Sequence, residues 1–241
     1  MKLDIRDIPL YYINLDSKVD DKTRLENLLF ETGFKSVNRI SGTLHEDPKV
    51  GCALSHLEVM GDRSIPTPFI LIEDDVDFTG VKFEYDIPDD VDALYIGTSK
   101  WGRFLNHSGP FVQYQKVNDD IVRVYNMLST HAIIYFNDGY REHLRRTCEY
   151  SANVAKYHLD VEYAENQKYY NIYALDVPFF TQMGYNNQVT NQPVTQYGMD
   201  LEQSAKYFEL QKWKLNLSGI PDGNGGVSFY DPRHWTQIGN P

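Results

Sequence analysis

FILIEDDVDF, residues 69–78, sets four apolar residues directly against a run of acid. Phe69, Ile70, Leu71 and Ile72 include no polar position, which predicts a strand buried on both faces. Glu73, Asp74, Asp75 and Asp77 follow almost without a break. Carboxylates this close repel one another and cost stability unless something positive lies among them. In an open α/β sheet, ligands gather at the carboxyl ends of the strands, which is where this block falls.

Three readings of the block compete. It is a solvated turn that stops the strand, a calcium loop, or a divalent-metal site that works with a diphosphate ligand. Asp75, Asp77, Thr79, Gly80 and Asp86 do fall at EF-hand loop positions 1, 3, 5, 6 and 12. An EF-hand needs an entering helix, however, and Pro66, Pro68 and the β-branched apolar run forbid one. Lys82 also occupies a loop position that normally packs as an apolar residue. The turn and the metal site remain, and hard carboxylate oxygens suit magnesium or manganese.

Working outward, apolar runs at 10–15, 93–96, 121–125, 132–136 and 172–177 predict further strands. Helical periodicity appears at 21–30, at 52–60 and at 138–148, the last capped by Asn137 or Asp138. Asp200 with Gln203 resembles a capping box opening a last helix through Trp213. The order predicts an α/β sandwich around a mostly parallel central sheet. No repeat or linker divides the chain, so residues 1–217 are expected to form a single domain. Residues 218–241, rich in Gly and Pro, read as an irregular tail. The amide-rich, charge-free stretch 181–199 is expected to be a loop on the acceptor side that orders when donor binds.

Bulk properties narrow the classes. The 241 residues carry a net charge of -11, which opposes nucleic acid as a main partner and opposes docking on anionic lipid. No apolar window approaches a transmembrane span, and the charged start, MKLDIRDIPL, does not read as a signal peptide. Cys52 and Cys148 are the only cysteines, too few for a disulfide framework, so a cytoplasmic setting is expected. The 18 tyrosines are read chiefly as packing residues.

YYINLD (11–16), GCALSH (51–56), ILIEDDV (70–76), DALYIG (92–97) and STHAIIYF (129–136) occur in that order. Together they resemble glycosyltransferase family 25, which includes lipooligosaccharide and collagen galactosyltransferases. The strongest part is GC.LSH placed shortly before EDDV. The likeness runs from about Leu10 to Gln182. It implies a GT-A type, Rossmann-like sandwich, a UDP-sugar donor and a bound Mn2+ or Mg2+. It also implies a glycan or hydroxylated acceptor, with lipopolysaccharide biosynthesis among the expected settings.

On that resemblance Glu73-Asp74-Asp75 stands where such enzymes carry Asp-x-Asp. Asp75 is the first expected metal ligand, with Glu73 on the ribose or on a metal-bound water. Asp77 is the reserve ligand, because Asp75-Val76-Asp77 is itself Asp-x-Asp. Ser55 and His56 are marked as donor-site residues. Taken alone, a helix histidine is more often a structural partner, and Cys52 reads as an inert core thiol. Asn14 and Asp16, at the end of the first family strand, would grip base or ribose, and Arg24 would neutralise phosphate. Strand-end and cap chemistry explains Asn14 and Asp16 equally well. The family carries more arginine after INLD than the Ser17-Lys18 found here.

Asp160 is the expected general base of an inverting transfer, since it matches an Asp of the family's pattern. Glu162 and Asp176 are fallbacks, and a helix cap at Asp160 is the plain alternative. The family's Ser-Asp pair after Gln182 is absent, which keeps open a catalytically inactive module that binds nucleotide or glycan. His234 reads as a tail residue or a late metal ligand.

Overall fold

The computed structural model describes residues 1–79, 82–104, 107–183 and 192–201. The first half holds β1 (Lys2–Asp4), β2 (Leu10–Asn14), α1 (Val19–Thr32), β3 (Val37–Ser41) and α2 (Pro48–Gly61). The acid block sits between β4 (Phe69–Glu73) and β5 (Val76–Phe78), and β6 (Glu84–Asp86) and β7 (Ala93–Tyr95) follow. Next come β8 (Gly102–Phe104), β9 (His107–Gly109), β10 (Gln113–Lys116), β11 (Ile121–Val124) and β12 (Ala132–Tyr135). The last elements are α3 (Asp138–Tyr150), α4 (Leu159–Asn166), β13 (Ile172–Leu175), β14 (Phe180–Gln182), α5 (Val194–Tyr197) and β15 (Met199–Asp200).

Nine strands form the central sheet in the order β15-β10-β11-β13-β7-β12-β4-β2-β3. β12 runs against β4 and β7, and β11 runs against β13 and β10. The remaining neighbours are parallel, so every strand except β11 and β12 points the same way. The mixed α/β class with a mostly parallel central sheet follows from these pairings.

The apolar run is the middle of this sheet. Phe69, Ile70, Leu71 and Ile72 are all fully buried. Strand alternation sends Phe69 and Leu71 to one face, among Ala53, Met60, Leu144 and Tyr163 of α2, α3 and α4. It sends Ile70 and Ile72 to the other, among Leu25 and Leu29 of α1 with Phe179 and Phe180. Two helical layers therefore cover the strand, and each buried side chain contributes roughly 1.5–3 kcal/mol.

The helices start and stop for local reasons. Asn137 caps α3 by accepting from the Gly139 and Tyr140 amides, and Asp47 caps α2 with Pro48 at the first helical position. Gly33, at φ 81°, closes α1 in the left-handed conformation. The far end of α2 is tied down by Arg141 of α3, which is almost completely buried. Its guanidinium donates to the carbonyls of Val59 (3.0 Å), Met60 (3.0 Å), Ile65 (2.6 Å) and Asp62. Helix-end carbonyls lack intrahelical partners, and one cation satisfies several at once.

Asp200 ends the short strand β15 and directly precedes the helical residue Leu201, as its expected place before a last helix requires; Gln203 to Trp213 lie outside the described residues. One expectation needs correction. The stretch 181–199 has structure at both ends. Thr181 and Gln182 pair with Asp77 and Val76 as β14 against β5, and 194–197 form α5. Residues 184–191, His234 and the expected tail 218–241 lie outside the described residues.

Candidate functional site

One edge of the sheet collects the polar residues that the sequence singled out. β2, β3 and β4 are parallel and in register, with Asn14 opposite Ser41 and Ile13 opposite Glu73. Their carboxyl ends therefore lie side by side. Because β12 is antiparallel, the residues before it, Ser129, Thr130 and His131, reach the same edge. Gly97, just beyond β7, joins them, and a Cβ there would sit 2.3 Å from His131 Nε2. Glycine is what lets the imidazole lie against that backbone.

Two clefts open on this edge and meet at Cys52 and Glu73. The first, of roughly 250 Å³, lies between the end of β2 and the start of α2. Asn14, Lys18, Thr43, Ser55, His56 and Asp74 are among its lining residues. The second, of roughly 480 Å³, lies between the ends of β4 and β7 and the start of α4. Ser99, Trp101, Thr130, His131, Asp160 and Gln182 are among its lining residues.

In the first cleft the polar groups are largely engaged with one another. Asn14 is buried; its amide donates to Asp74 Oδ2 (2.8 Å) and to the Lys18 carbonyl (3.0 Å) and accepts from Arg39 Nε (3.1 Å). Lys18 Nζ stands 3.5 Å from the other oxygen of Asp74. Asp16 is exposed and pairs with Arg39 (2.5 Å) and with the Ser41 hydroxyl (2.9 Å), which hold its carboxyl below the ordinary range. Ser55 Oγ donates to the Gly51 carbonyl and accepts from the Thr43 amide, both at 2.8 Å. A Cβ at Gly51 would meet the Thr43 carbonyl at 2.8 Å, so the loop and α2 close only around glycine.

Arg24 does not line either cleft. It donates to the backbone carbonyls of Asp74 (2.7 Å) and Val76 (2.9 Å), so it braces the acid turn from behind. The positive groups among the acids are therefore Lys18 on Asp74 and Arg24 on the turn's backbone, while the His56 ring faces Glu73. That set does not reach every carboxylate.

In and beside the second cleft several polar atoms are left open, among them one of Asp75, which lies behind the lining residue Gln182. Thr130 Oγ1 donates to Glu73 Oε1 at 2.7 Å, and His56 Nε2 lies 3.5 Å from the same oxygen. Burial works to raise the Glu73 pKa, but His56 and Thr130 outweigh it and leave the group below its ordinary value. Asp75 behaves the other way. Burial, then the negative charge of Glu73, raise it to about 6, although Gln182 Nε2 donates to its Oδ2 at 2.9 Å. Asp75 Oδ1 is buried with no hydrogen-bond partner among the described residues.

Asp160 shares this condition. Its Oδ1 is buried and unpartnered among the described residues, and burial raises its pKa, with Glu73 adding to the shift. It is not the cap of α4. His158 takes that position, without a side-chain cap bond, and Asp160 lies in the first turn. His131 accepts or donates at Nδ1 to Ser129 (3.0 Å), while its buried Nε2 is unpartnered among the described residues.

The remaining candidates lie apart. Asp77 is exposed on β5, its Oδ1 accepts from the Phe78 amide (2.8 Å), and it lines neither cleft. Asp176 is consumed by Thr195, which it meets through the amide (2.8 Å) and the hydroxyl (2.9 Å). Glu162, raised mainly by burial, also lines neither cleft.

Three contributors were not foreseen. Arg39 sits on β3, whose VNRIS carries little strand signal. Lys18 lines the first cleft although Ser17-Lys18 departs from the family pattern. Cys52 is half-buried and lines both clefts; its spacing of four from His56 was the available signal.

No helix among the described residues is long and apolar enough to cross a membrane. No family model matches the chain, and no curated protein matches it. The resemblance to family 25 therefore stands on the motifs alone. Among solved structures, the chain is similar to a glycosyltransferase involved in glycosylation of the major capsid of PBCV-1. Identity is 7%, coverage 75% of this chain and 95% of that one, and TM-score 0.37. It is also similar to the CTP:phosphocholine cytidylyltransferase of Streptococcus pneumoniae, with 11% identity, coverage of 85% and 78%, and TM-score 0.37.

Proposed function

We propose that this chain is a metal-dependent glycosyltransferase. It moves a hexose, galactose on the motif resemblance, from a UDP-sugar to a hydroxyl of a glycan or hydroxylated acceptor, with inversion. The observation that carries this reading is a pair of half-buried carboxylates at the second cleft: Asp160, which lines it, and Asp75, which lies behind the lining residue Gln182, each keep a buried oxygen without a partner among the described residues.

The acid turn fits a hard cation at Asp75. Its unpartnered oxygen and raised pKa mark a place where a positive charge relieves both burial and the Glu73 field. Mn2+ or Mg2+ held there would supply charge neutralisation for a departing diphosphate. Asp77 is placed too far into solvent to share a buried ion with the clefts.

The side chains divide the remaining work. Asn14 and Lys18 line the cleft on which base, ribose and phosphate would rest, with exposed Asp16 two residues from each and Ser55 fixing the loop that walls it. Thr130 and His56 hold Glu73 in place between the clefts. Asp160 takes the proton of the acceptor hydroxyl as the new glycosidic bond forms and the bond from sugar to diphosphate breaks. Its burial helps, because a carboxylate with a raised pKa is a stronger base.

A screen of nucleotide sugars by thermal shift, with and without Mn2+, tests this. A donor at about 100 times its Kd stabilises by about 2.7 kcal/mol. UDP-sugars should shift melting only with Mn2+ or Mg2+ present, and donor turnover should follow. Stabilisation equal in chelator would overturn the metal assignment. Binding without any turnover would favour the inactive-module alternative.

A further inference from the structure

The wall between the clefts holds an unusual set of donors. Cys52 and His56 are four residues apart on α2, so both project from one helix face. Glu73 faces them from the end of β4. Cys52 Sγ, a ring nitrogen of His56 and a carboxylate oxygen of Glu73 all lie within 4.8 Å of one another. His56 is 1% exposed, and neither ring nitrogen has a hydrogen-bond partner among the described residues. A structural helix histidine normally donates or accepts at least once. This one only stands edge-on to Tyr163 and 3.5 Å from Glu73 Oε1.

We infer that Cys52, His56 and Glu73 bind a borderline-soft transition-metal ion of the Zn2+ class, separate from the hard cation assigned to Asp75. Thiolate, imidazole and carboxylate together suit Zn2+ or Co2+ and not Mg2+. Ligand bonds of about 2.0–2.3 Å place tetrahedral ligand atoms under about 4 Å apart, so the three need draw in by only about 1 Å. Thr130, donating to Glu73 at 2.7 Å, supplies the outer contact that orients a metal-binding carboxylate. Three protein ligands leave a fourth position for water or an oxygen ligand, and both clefts open on the cluster. On binding, the Cys52 thiol gives its proton to solvent and the ion takes the sulfur electron pair. No oxidant or reductant is involved.

This does not depend on the transferase reading and is tested without nucleotide, using Zn2+ and Co2+ alone on the full chain. The chain should retain one Zn2+ after dialysis. The Co2+ form should show a sulfur-to-cobalt charge-transfer band. Cys52→Ser should remove the band and weaken Zn2+ binding by more than about 100-fold, beyond the 10–100-fold of an outer-contact change. Cys148→Ser should keep the band, because Cys148 is buried beside Tyr163 and away from the cluster. Asp75→Asn should also keep it, which separates this site from the Asp75 ion. If Cys52→Ser fails to fold, alkylation of the wild-type chain decides: Zn2+ should protect Cys52, as read by peptide mass. No retained ion, a Co2+ form without the band, a band that survives Cys52→Ser, or Cys52 alkylated equally with Zn2+ present would each overturn the site.

Discussion

The two clefts share a wall but treat their polar groups in opposite ways. In the first, Asn14, Ser55 and Asp74, with Asp16 beside it, are bonded to one another, to Lys18, Arg39 or Ser41, or to backbone. At the second, Asp160 and His131 on its lining, and Asp75 behind Gln182, each carry a buried atom without a partner among the described residues. A buried polar atom left unpaired costs roughly 1–3 kcal/mol, and a charged one costs more. Three such atoms at and beside the second cleft cost stability there, whereas the first cleft, His56 apart, is held by its own contacts.

The largest effect should come from breaking the open side at Asp160. With Asp160→Asn, donor turnover should fall about 10²- to 10⁴-fold, the range of a lost general base. Melting should hold or rise, since a desolvated carboxylate is replaced by a neutral group of the same shape. Full turnover in that variant excludes Asp160 as the base. An axial product from an axial donor excludes inversion.

The closed side should respond through stability. Asn14→Ala strips partners from Asp74, Arg39 and the Lys18 carbonyl together. A loss of about 1–3 kcal/mol in urea unfolding is expected, from buried donors and acceptors that each lose one partner. A variant as stable as the wild type would show that the first cleft is not held by this network.

A pH titration sharpens the contrast further. The folded pKa of Asp75 is raised to about 6 by burial and then by Glu73. Between about pH 4 and 6 the folded chain therefore binds more protons there than the unfolded chain, which titrates near 3.9. Stability should fall as pH rises through that window, by about 1–3 kcal/mol. Asp160, also raised, adds the same sign. Glu73, lowered, has the opposite sign and contributes stability that is lost only as pH falls below about 4.5. Melting curves should show the slope in wild type, less of it in Asp75→Asn, and less again with Mn2+ bound.

Much of this edge was legible from residue types. Phe69–Ile72 announced a central strand because nothing polar interrupts it, and the acids after it had to fall at a strand end. Asn137 announced α3 because its side chain offers the helix an acceptor. β3 and β10 escaped notice because VNRIS and QYQK are half-exposed and lack a buried face. The roles of Arg24 and Arg39 were not legible at all. Whether a guanidinium meets ligand, carbonyl or carboxylate depends on neighbours brought in by folding, here from residues 25 and 50 positions away. Cys52 was read as core because a lone thiol on an apolar helix usually is, and only the register of α2 against β4 sets it beside Glu73.

The smallest effect is expected at Asp16, and it tests whether the closed cleft does anything beyond scaffolding. Asp16 is largely exposed, with its side chain at 76%, and its partners Arg39 and Ser41 lie in solvent reach. Exposed ion pairs contribute little, so Asp16→Asn should leave the melting temperature unchanged. If the carboxylate also meets a ribose hydroxyl, the variant should bind a UDP-sugar about tenfold more weakly, the scale of one charge-assisted hydrogen bond. Calorimetry on Asp16→Asn beside Asp75→Asn then ranks the two sides. A loss at Asp75 with none at Asp16 would place the donor on the acid-turn side alone. A loss at both would make the closed cleft the rest for its nucleoside end, pre-bonded so that little side-chain order remains to be imposed when the donor arrives.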